Sequence, residues 1–212
     1  GDSIILFDDQ GWEHEAVIQS YGRGTAELKI VNSYRVDRES ALQIILAQGL
    51  SKGEKMDWVV EKATELGVGT ILPFVSSHTV PRLDGPKMTR RQERWKKIAL
   101  SAAKQSGRIR VPEILDLVDF HELIRRAWPC DSKLLCWERE SHQGLAQIQK
   151  GQAQIRSLLL VIGPEGGFSP EEADEAVRCG FHSIRLGKRI LRTETAALAA
   201  ISLVQFLWGD MG

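Results

Sequence analysis

Cysteine is scarce in this sequence, and the few thiols form no pattern. Cys130, Cys136 and Cys179 are an odd set without a C-x-x-C pair, which excludes a disulfide framework and favours a reducing cytoplasm. None of the five histidines stands three to five residues from another, so finger-type zinc ligands are missing too. The sequence therefore predicts a cytoplasmic protein without a metal.

The sequence also has no long apolar run. Its longest apolar stretch, residues 196–208, is interrupted by Ser202 and Gln205 and is shorter than the roughly 20 residues that cross a membrane. At the same time 42% of the 212 residues are hydrophobic, which is enough for one sizeable core. We therefore expect a soluble globular protein that is not a membrane protein.

Net charge is absent as well, because 28 Lys and Arg balance 28 Asp and Glu. The charges are unevenly spread, however, with ten bases and two acids between Arg82 and Arg110. A helix is predicted over residues 89–106, opened by a Thr89/Gln92 capping box, which crowds three arginines into a first turn where the helix dipole disfavours cations. We interpret the run as a surface for RNA phosphates, with a solvated basic face as the alternative. The candidate RNA-binding residues are Arg82, Lys87, Arg90, Arg91, Arg94, Lys97, Lys104, Gln105 and Arg108.

Two patterns divide the chain. Residues 3–7, 14–20 and 25–36 are short runs rich in branched side chains and separated by turn residues, which predicts three antiparallel strands. Three strands cannot close a barrel, so residues 1–40 are expected to be an incomplete module that lacks an N-terminal piece. Over residues 41–212 strands alternate with helices, which predicts an α/β domain with a mostly parallel sheet buried on both faces.

The first of two glycine-rich turns follows the apolar strand SLLLVI and has the sequence IGPEGGF. Pro164 has no backbone N–H and Glu165 adds a negative charge, so the turn is poorly suited to phosphate. The helix predicted over residues 170–179 has its own capping box in Ser169 and Glu172. The glycines instead allow close backbone approach at the carboxyl end of a parallel strand, where open sheets bind ligands. An ordinary tight turn remains the alternative.

The second turn follows the predicted strand SIRL and has the sequence LGKRILRTETA. Gly187 turns the chain, and Thr193 is the predicted N-cap of an apolar helix over residues 194–208. If the two final strands are neighbours in the sheet, both glycine turns open onto one crevice. A charged cluster between a core strand and a core helix costs stability unless it is paired or used. The alternative is that these charges only steady the start of the helix.

Four motifs in a fixed order carry a resemblance to a known family. They are KGEKMDWVVEKATELGV, RWKKIALSAAKQSGRIRVPEI, IGPEGGFSPEE and LGKRILRTETA. With them the chain closely resembles, over residues 1–212, the SPOUT-class methyltransferases that modify N3 of a uridine in 16S rRNA. The resemblance implies a small PUA-like β-barrel that binds RNA, incomplete here over residues 1–40. It also implies a SPOUT methyltransferase domain over residues 41–212 that ends in a deep trefoil knot, a rare exception to unknotted folds.

The same resemblance implies a homodimer, S-adenosylmethionine as the methyl donor, and 16S rRNA of the small ribosomal subunit as the substrate. By position in the motifs, contacts with the cofactor fall after one strand and in the two turns. These residues are Cys136, Trp137, Glu138, Ile162, Gly163, Pro164, Glu165, Gly166, Gly167, Leu186, Gly187, Ile190, Leu191, Arg192, Thr193, Thr195 and Ala196. His78 and Lys104 depart from the residues common in the family, so family roles are not carried over to them.

Methylation at N3 requires the ring nitrogen to lose a proton while negative charge spreads to the uracil oxygens. Arg192 is the candidate that stabilises this charge, and Glu194 is the candidate that accepts the proton. The competing interpretation of Glu194 is an ion pair with Arg189 or Arg192. Two other function classes stay open. One is a non-catalytic RNA-binding or ribosome assembly factor, and the other is a dinucleotide-dependent oxidoreductase, for which the sequence has no G-x-G-x-x-G fingerprint.

Overall fold

The computed structural model describes residues 2–79, 85–141, 143–152 and 154–212. Its first part is an antiparallel meander of three strands, β1 (Ser3–Phe7), β2 (Trp12–Gly22) and β3 (Thr25–Arg35). The strands lie where the branched runs predict them, and β2 is longer than expected at both ends. Within the described residues no fourth strand pairs with this sheet, so it stays open.

The second part is a parallel sheet of seven strands, which carries the predicted α/β architecture. They are β4 (Gln43–Gly49), β5 (Thr70–Val75), β6 (Glu113–Ile114), β7 (Val118–Asp119), β8 (Ser132–Cys136), β9 (Ser157–Ile162) and β10 (His182–Ile184). Their order is β10-β8-β9-β4-β5-β6, with β7 also paired to β5, and every pairing is parallel. The two final strands, β9 and β10, are not neighbours, because β8 lies between them. The arrangement considered from the sequence, in which they pair directly, is therefore not formed.

Helices cover both faces of this sheet. In the described part of the chain they are α1 (Lys55–Glu65), α2 (Gly85–Ser106), α3 (Phe120–Arg125), α4 (Leu145–Gly151), α5 (Pro170–Arg178) and α6 (Thr193–Trp208). The helices predicted over residues 89–106, 170–179 and 194–208 are present as α2, α5 and α6, and α4 begins at Leu145 because the backbone at Gly144 is still extended. Among these helices none combines the length and the apolar character needed to cross a bilayer.

The start of α2 corrects one expectation. The helix begins at Gly85, about one turn before the predicted residue 89. Thr89 therefore lies inside the helix and donates its hydroxyl to the Gly85 carbonyl at 3.0 Å, while Gln92 donates to the Leu115 carbonyl at 3.2 Å. The Thr89/Gln92 capping box is not formed. The arginines of α2 lie beyond its first turn, so the helix-dipole argument for an RNA role no longer applies.

The core occupies both faces of the parallel sheet because successive strand residues point to opposite sides. Leu46 packs on the side of α1, α2 and α6, and its neighbour Ala47 packs on the side of α3 and α5. Trp95 of α2 is fully buried and donates from Nε1 to Asp57 Oδ1 of α1 at 2.9 Å. Each large side chain buried in this way contributes about 1.5–3 kcal/mol to folding.

Arg108, just after α2, is used inside the fold. It is only 8% exposed; Nη2 lies 2.6 Å from Glu39 Oε2, and Nη1 donates to the carbonyls of Thr64 and Val68 at 2.9 and 2.8 Å. Nε donates to Glu39 as well, so every nitrogen of the guanidinium has a partner. The prediction that Arg108 binds RNA is therefore wrong. The residue instead ties the segment before β4 to the end of α1.

Candidate active site

A cavity of ≈ 490 Å³ opens at the carboxyl ends of β8, β9 and β10. Typical small-molecule sites have volumes of about 300–1,000 Å³. Residues 136–138, residues 162–168, and residues 185–193 together with Ala196 line it. Lys55, the first residue of α1, completes the wall. Both glycine turns therefore meet in one cavity, although β8 separates their strands.

The first turn approaches its neighbours so closely that side chains are excluded. A Cβ on Gly166 would lie 2.7 Å from His78 Cβ, and a Cβ on Gly167 would lie 2.9 Å from Glu138 Oε1. Gly167 has φ +67°, a conformation that favours glycine, and its N–H donates to the Pro164 carbonyl at 2.9 Å. His78 Nδ1 hydrogen-bonds the Gly166 carbonyl at 3.0 Å. The turn is thus a fixed backbone surface on the cavity wall.

The predicted capping box of α5 is confirmed. Ser169 Oγ accepts from the Glu172 N–H at 3.2 Å, and Glu172 Oε2 accepts from the Ser169 N–H at 2.9 Å. The second carboxylate oxygen of Glu172 accepts from the Ser77 N–H at 2.9 Å. Phe168, between the turn and this helix, is buried and stacks on Phe74 with ring centroids 6.1 Å apart. The start of α5 is therefore used for internal support of the turn.

A buried hydrogen-bond chain joins the two turns. Thr193 was predicted to be the N-cap of α6, but Arg192 holds that position, without a side-chain capping hydrogen bond. Thr193 is the first helical residue, and its hydroxyl donates to the Gly163 carbonyl at 2.5 Å. The same oxygen accepts from Gln48 Nε2 at 2.9 Å, and Gln48, at the end of β4, is fully buried. Gln48 carried no sequence signal, because a lone amide in an apolar strand does not reveal its partner.

Glu194 lies beside Lys55 rather than beside an arginine. Its Oε2 is 3.9 Å from Lys55 Nζ, and this oxygen is buried with no hydrogen-bond partner. Lys55 Nζ donates to Glu165 Oε1 at 3.1 Å, and the same oxygen accepts from the Lys52 N–H at 3.1 Å. No ion pair with a neighbouring arginine forms, so the alternative that pairs Glu194 with Arg189 or Arg192 is wrong.

The cavity carries charges of both signs. Arg185, Lys188, Arg189 and Arg192 line it and have no ion-pair partner within the described ranges, and Glu138 and Glu165 line it on the acidic side. Partial burial tends to raise the pKa of Glu165, but backbone amides and the Lys55 ammonium outweigh it, so that pKa lies below its ordinary value. Burial raises the pKa of the Cys136 thiol to about 12, which keeps this thiol neutral near pH 7.

The structure collects nearly all of the predicted cofactor-contact residues. All of those at positions 136–138 and 162–167 line the cavity, as do those at 186, 187, 190–193 and 196. Thr195 does not line it and is exposed on α6, and Glu194 does not line it either but lies 3.9 Å from the lining residue Lys55. Sequence reasoning missed Lys55, Phe168, Arg185, Lys188 and Arg189. Lys188 and Arg189 stand inside the quoted second-turn motif, and Lys55 stands inside the quoted motif KGEKMDWVVEKATELGV, so each had a usable signal.

The predicted RNA-binding residues differ in exposure and in pairing. Arg90, Lys97, Lys104 and Gln105 are exposed, and so is Lys87, near the start of α2. Arg94 is committed to Asp57, with Nη2 2.7 Å from Oδ2, and Arg91 is half-buried. Arg82 lies outside the described residues. Over the described ranges, no three His, Cys, Asp or Glu side chains converge as a metal site would need.

Comparison with known proteins first identifies the class of protein to which the chain belongs. The model of the RNA methyltransferase domain family matches residues 38–205, which include all seven strands of the parallel sheet and the whole cavity. The fold and the cavity thus define an RNA methyltransferase domain, and the meander lies ahead of it.

Individual relatives narrow the assignment. Ribosomal RNA small subunit methyltransferase E of Bacillus subtilis (strain 168) is 36% identical over 97% of this chain and 82% of its own length. Its counterpart from Mycobacterium tuberculosis is 30% identical over 98% of this chain and 79% of its own length. The crystal structure of the Neisseria gonorrhoeae enzyme of that name, bound to S-adenosyl methionine, matches 100% of this chain and 85% of that chain at 36% identity, with a TM-score of 0.90. The chain belongs to the ribosomal RNA small subunit methyltransferase E family.

Proposed function

We propose that the chain is an S-adenosylmethionine-dependent methyltransferase that methylates N3 of a uridine in the 16S rRNA of the small ribosomal subunit. The observation that carries the proposal is the meeting of both glycine turns in one cavity at the carboxyl edge of a parallel sheet. The Neisseria gonorrhoeae relative binds S-adenosyl methionine, and the relatives' shared name assigns them to small-subunit ribosomal RNA. The family resemblance supplies the choice of uridine N3.

The residues of the cavity fit this cofactor. Apolar side chains, among them Ile162, Leu186 and Ile190, offer a surface for an adenine ring. The Nε1 of Trp137 is buried without a hydrogen-bond partner, which makes it a donor that a ligand acceptor would satisfy. Glu138 suits ribose hydroxyls or a cationic group. When bound, the cofactor supplies an electrophilic methyl group, whose transfer to N3 leaves the C–S electron pair on sulfur.

Arg192 is our candidate for charge stabilisation. It is exposed at the mouth of the cavity, at the N-cap position of α6, and no carboxylate within the described ranges pairs with it. A guanidinium there can stabilise the negative charge that develops on the uracil oxygens as N3 loses its proton. Removing one such preorganised donor costs roughly 2.7–4 kcal/mol of transition-state stabilisation.

Glu194 is our candidate proton acceptor. Its side chain is 18% exposed and its Oε2 is buried beside Lys55, so the other carboxylate oxygen, Oε1, is the candidate acceptor for the N3 proton. The N3–H bond breaks, the proton goes to Glu194, and the electron pair left on N3 forms the bond to the methyl carbon. Glu194 acts from beside Lys55, which lines the cavity.

The exposed face of α2 is the candidate surface for rRNA phosphates. Arg90, Lys97 and Lys104 are exposed on this helix, and Gln105 extends the polar face. Lys87 remains a candidate. Arg91 is half-buried and Arg94 is paired with Asp57, so these two are less accessible to phosphates. Contacts of this kind give affinity that falls as salt rises and carry little sequence information.

The domain architecture is part of the same proposal. Residues 1–40 would be an RNA-binding, PUA-like β-barrel in incomplete form, which the open meander supports through its exposed Ile30 and Val31. Residues 41–212 would be the SPOUT domain with its C-terminal trefoil knot. The knot is proposed on the family resemblance.

A homodimer is proposed on the resemblance and on one apolar face. Phe206 and Leu203 of α6 are 60% and 43% exposed, and Trp58 of the adjoining α1 is 43% exposed. Exposed apolar side chains of this size on two packed helices are a candidate interface surface. The proposed rRNA substrate places the protein in the cytoplasm.

The test is to incubate the protein with small ribosomal subunits that lack the modification, together with methyl-labelled cofactor, and to map the labelled base. Label at N3 of a single 16S uridine is the expected result. Subunit binding without label would instead support the assembly-factor alternative. A calorimetric preference for NAD over S-adenosylmethionine would support an oxidoreductase.

A further inference from the structure

Lys55 occupies an unusual place for a surface lysine. It is the first residue of α1, and its side chain reaches across to the cavity wall. Its ammonium lies between two carboxylates from different elements, with Glu165 Oε1 of the first turn at 3.1 Å and Glu194 Oε2 of α6 at 3.9 Å. One cation thus links three elements that surround the site.

The two carboxylates do not depend on Lys55 equally. Glu165 Oε1 also accepts from the Lys52 backbone N–H at 3.1 Å, so it keeps a partner without the ammonium. Glu194 has no hydrogen-bond partner at Oε2, and Lys55 is the only cation within 4.0 Å of it in the described part of the chain. Loss of the Lys55 charge would therefore leave Glu194 as the uncompensated member of the pair, and such a carboxylate turns toward water.

The unequal distances have a chemical use. Lys55 Nζ donates to Glu165 and lies 3.9 Å from Glu194 Oε2, beyond hydrogen-bond distance, so it compensates the charge of this buried oxygen without donating to it. The other oxygen of Glu194, Oε1, is thereby left for an incoming N–H. Arg189 and Arg192 of the second turn are also charged, and within the described residues neither forms an ion pair with Glu194.

We propose that Lys55 is a positioning residue for methyl transfer, which holds the Glu194 carboxylate in place by compensating its buried Oε2 and so leaves Oε1 to accept the proton. This inference rests on the proposed function, in which Glu194 accepts the N3 proton. The role assigned to Lys55 is exerted through Glu194 and involves no contact with the reacting nitrogen or the methyl group.

The experiment compares three variants of the full chain. Lys55→Met removes the charge at similar length, Lys55→Arg retains it, and Lys52→Met is the matched control. Lys52 is an exposed lysine three residues away that serves Glu165 only through its backbone, which the control leaves intact. For each variant, kcat and KM are measured with unmodified small subunits, and the Kd of S-adenosylmethionine is measured by calorimetry. A crystal structure of Lys55→Met without cofactor reports where Glu194 goes.

We expect Lys55→Met to lower kcat by about 100-fold, the effect of misplacing a catalytic group by about 1 Å, while Kd and KM change by less than about 3-fold. Lys55→Arg should recover most of kcat, Lys52→Met should equal the wild type, and Glu194 should have turned to solvent in the Lys55→Met crystal. Equal kcat in Lys55→Met and Lys52→Met would overturn the inference, as would a loss confined to Kd or an unmoved Glu194. An inactive wild type would instead refute the proposed function.

Discussion

Two regions of this molecule are rich in cations, and the cations are used differently. Around the cavity, Arg185, Lys188, Arg189 and Arg192 have no carboxylate partner within the described ranges. Along α2 and just after it, Arg94 is paired with Asp57 and Arg108 is buried on Glu39. At the cavity the backbone has already fixed the walls, so the cations are free for a ligand. Along α2, part of the positive charge stabilises the fold through ion pairs.

The largest expected effect breaks the α2 side of this comparison. Arg108→Met removes a buried guanidinium and leaves Glu39 with only the backbone N–H groups of Ile109 and Arg110. We expect the free energy of unfolding to fall by about 3–5 kcal/mol, which is the cost of leaving one member of a buried ion pair without its partner. Urea titration measures it, with Arg110→Met, an exposed neighbour, as the control. A loss below about 1 kcal/mol would mean that the pair is not structural.

The next effect tests the cavity side. Arg192→Met should leave the free energy of unfolding unchanged, because the side chain is exposed and unpaired. Turnover should fall by about 10²-fold, equivalent to roughly 2.7 kcal/mol of transition-state stabilisation. Single-turnover methylation of unmodified small subunits measures the change, with Kd for the cofactor measured in parallel. Near-normal turnover with retained affinity would remove Arg192 from the mechanism.

A third change tests whether the backbone fixes the cavity wall. Gly166→Ala would bring a Cβ to 2.7 Å from His78 Cβ and 3.0 Å from the His78 carbonyl oxygen, so the turn must shift. We expect the Kd for S-adenosylmethionine to rise about 10-fold, which corresponds to ~1.4 kcal/mol. Gly151→Ala is the matched control, since a Cβ there meets nothing within 4 Å. Equal affinities in the two variants would show that the turn tolerates the shift.

The smallest effect sharpens the comparison at the exposed part of α2. The double variant Lys97→Ala/Lys104→Ala should bind 16S rRNA more weakly and with a shallower salt dependence. The slope of log K against log salt should change by about 0.7–0.9 for each lost phosphate contact. The exposed Lys150 of α4 provides the control, and a slope identical to that of Lys150→Ala would assign the RNA surface elsewhere.

Local chemistry made much of the site predictable. The capping box of Ser169 and Glu172 and the close approach at Gly166 and Gly167 follow from residue type and spacing within a few positions, and the structure contains both. Strand alternation with helices likewise predicted the parallel sheet. The placement of β8 between β9 and β10 depends on contacts between distant segments, which no local pattern encodes.

The errors have the same physical origin. Arg108 was assigned to RNA because its acceptors, Glu39, Thr64 and Val68, are far away in sequence. The contacts of Lys55 were missed for the same reason, since Glu165 and Glu194 come near it only in the folded chain. The start of α2 is different: Gly85 precedes Pro86, and proline in a first helical turn was a local signal that the Thr89 prediction overlooked.

The hydrogen-bond chain from Gln48 through Thr193 to Gly163 has a consequence for biosynthesis. Gln48 and Gly163 are translated before Thr193, which supplies the hydroxyl that joins them and opens the final helix. A nascent chain arrested before residue 193 can pair β4 with β9, yet it has neither the second turn's helix nor the bond that draws the turns together. The cavity is therefore completed only once the second turn and α6 have been translated, long after β4 has been made.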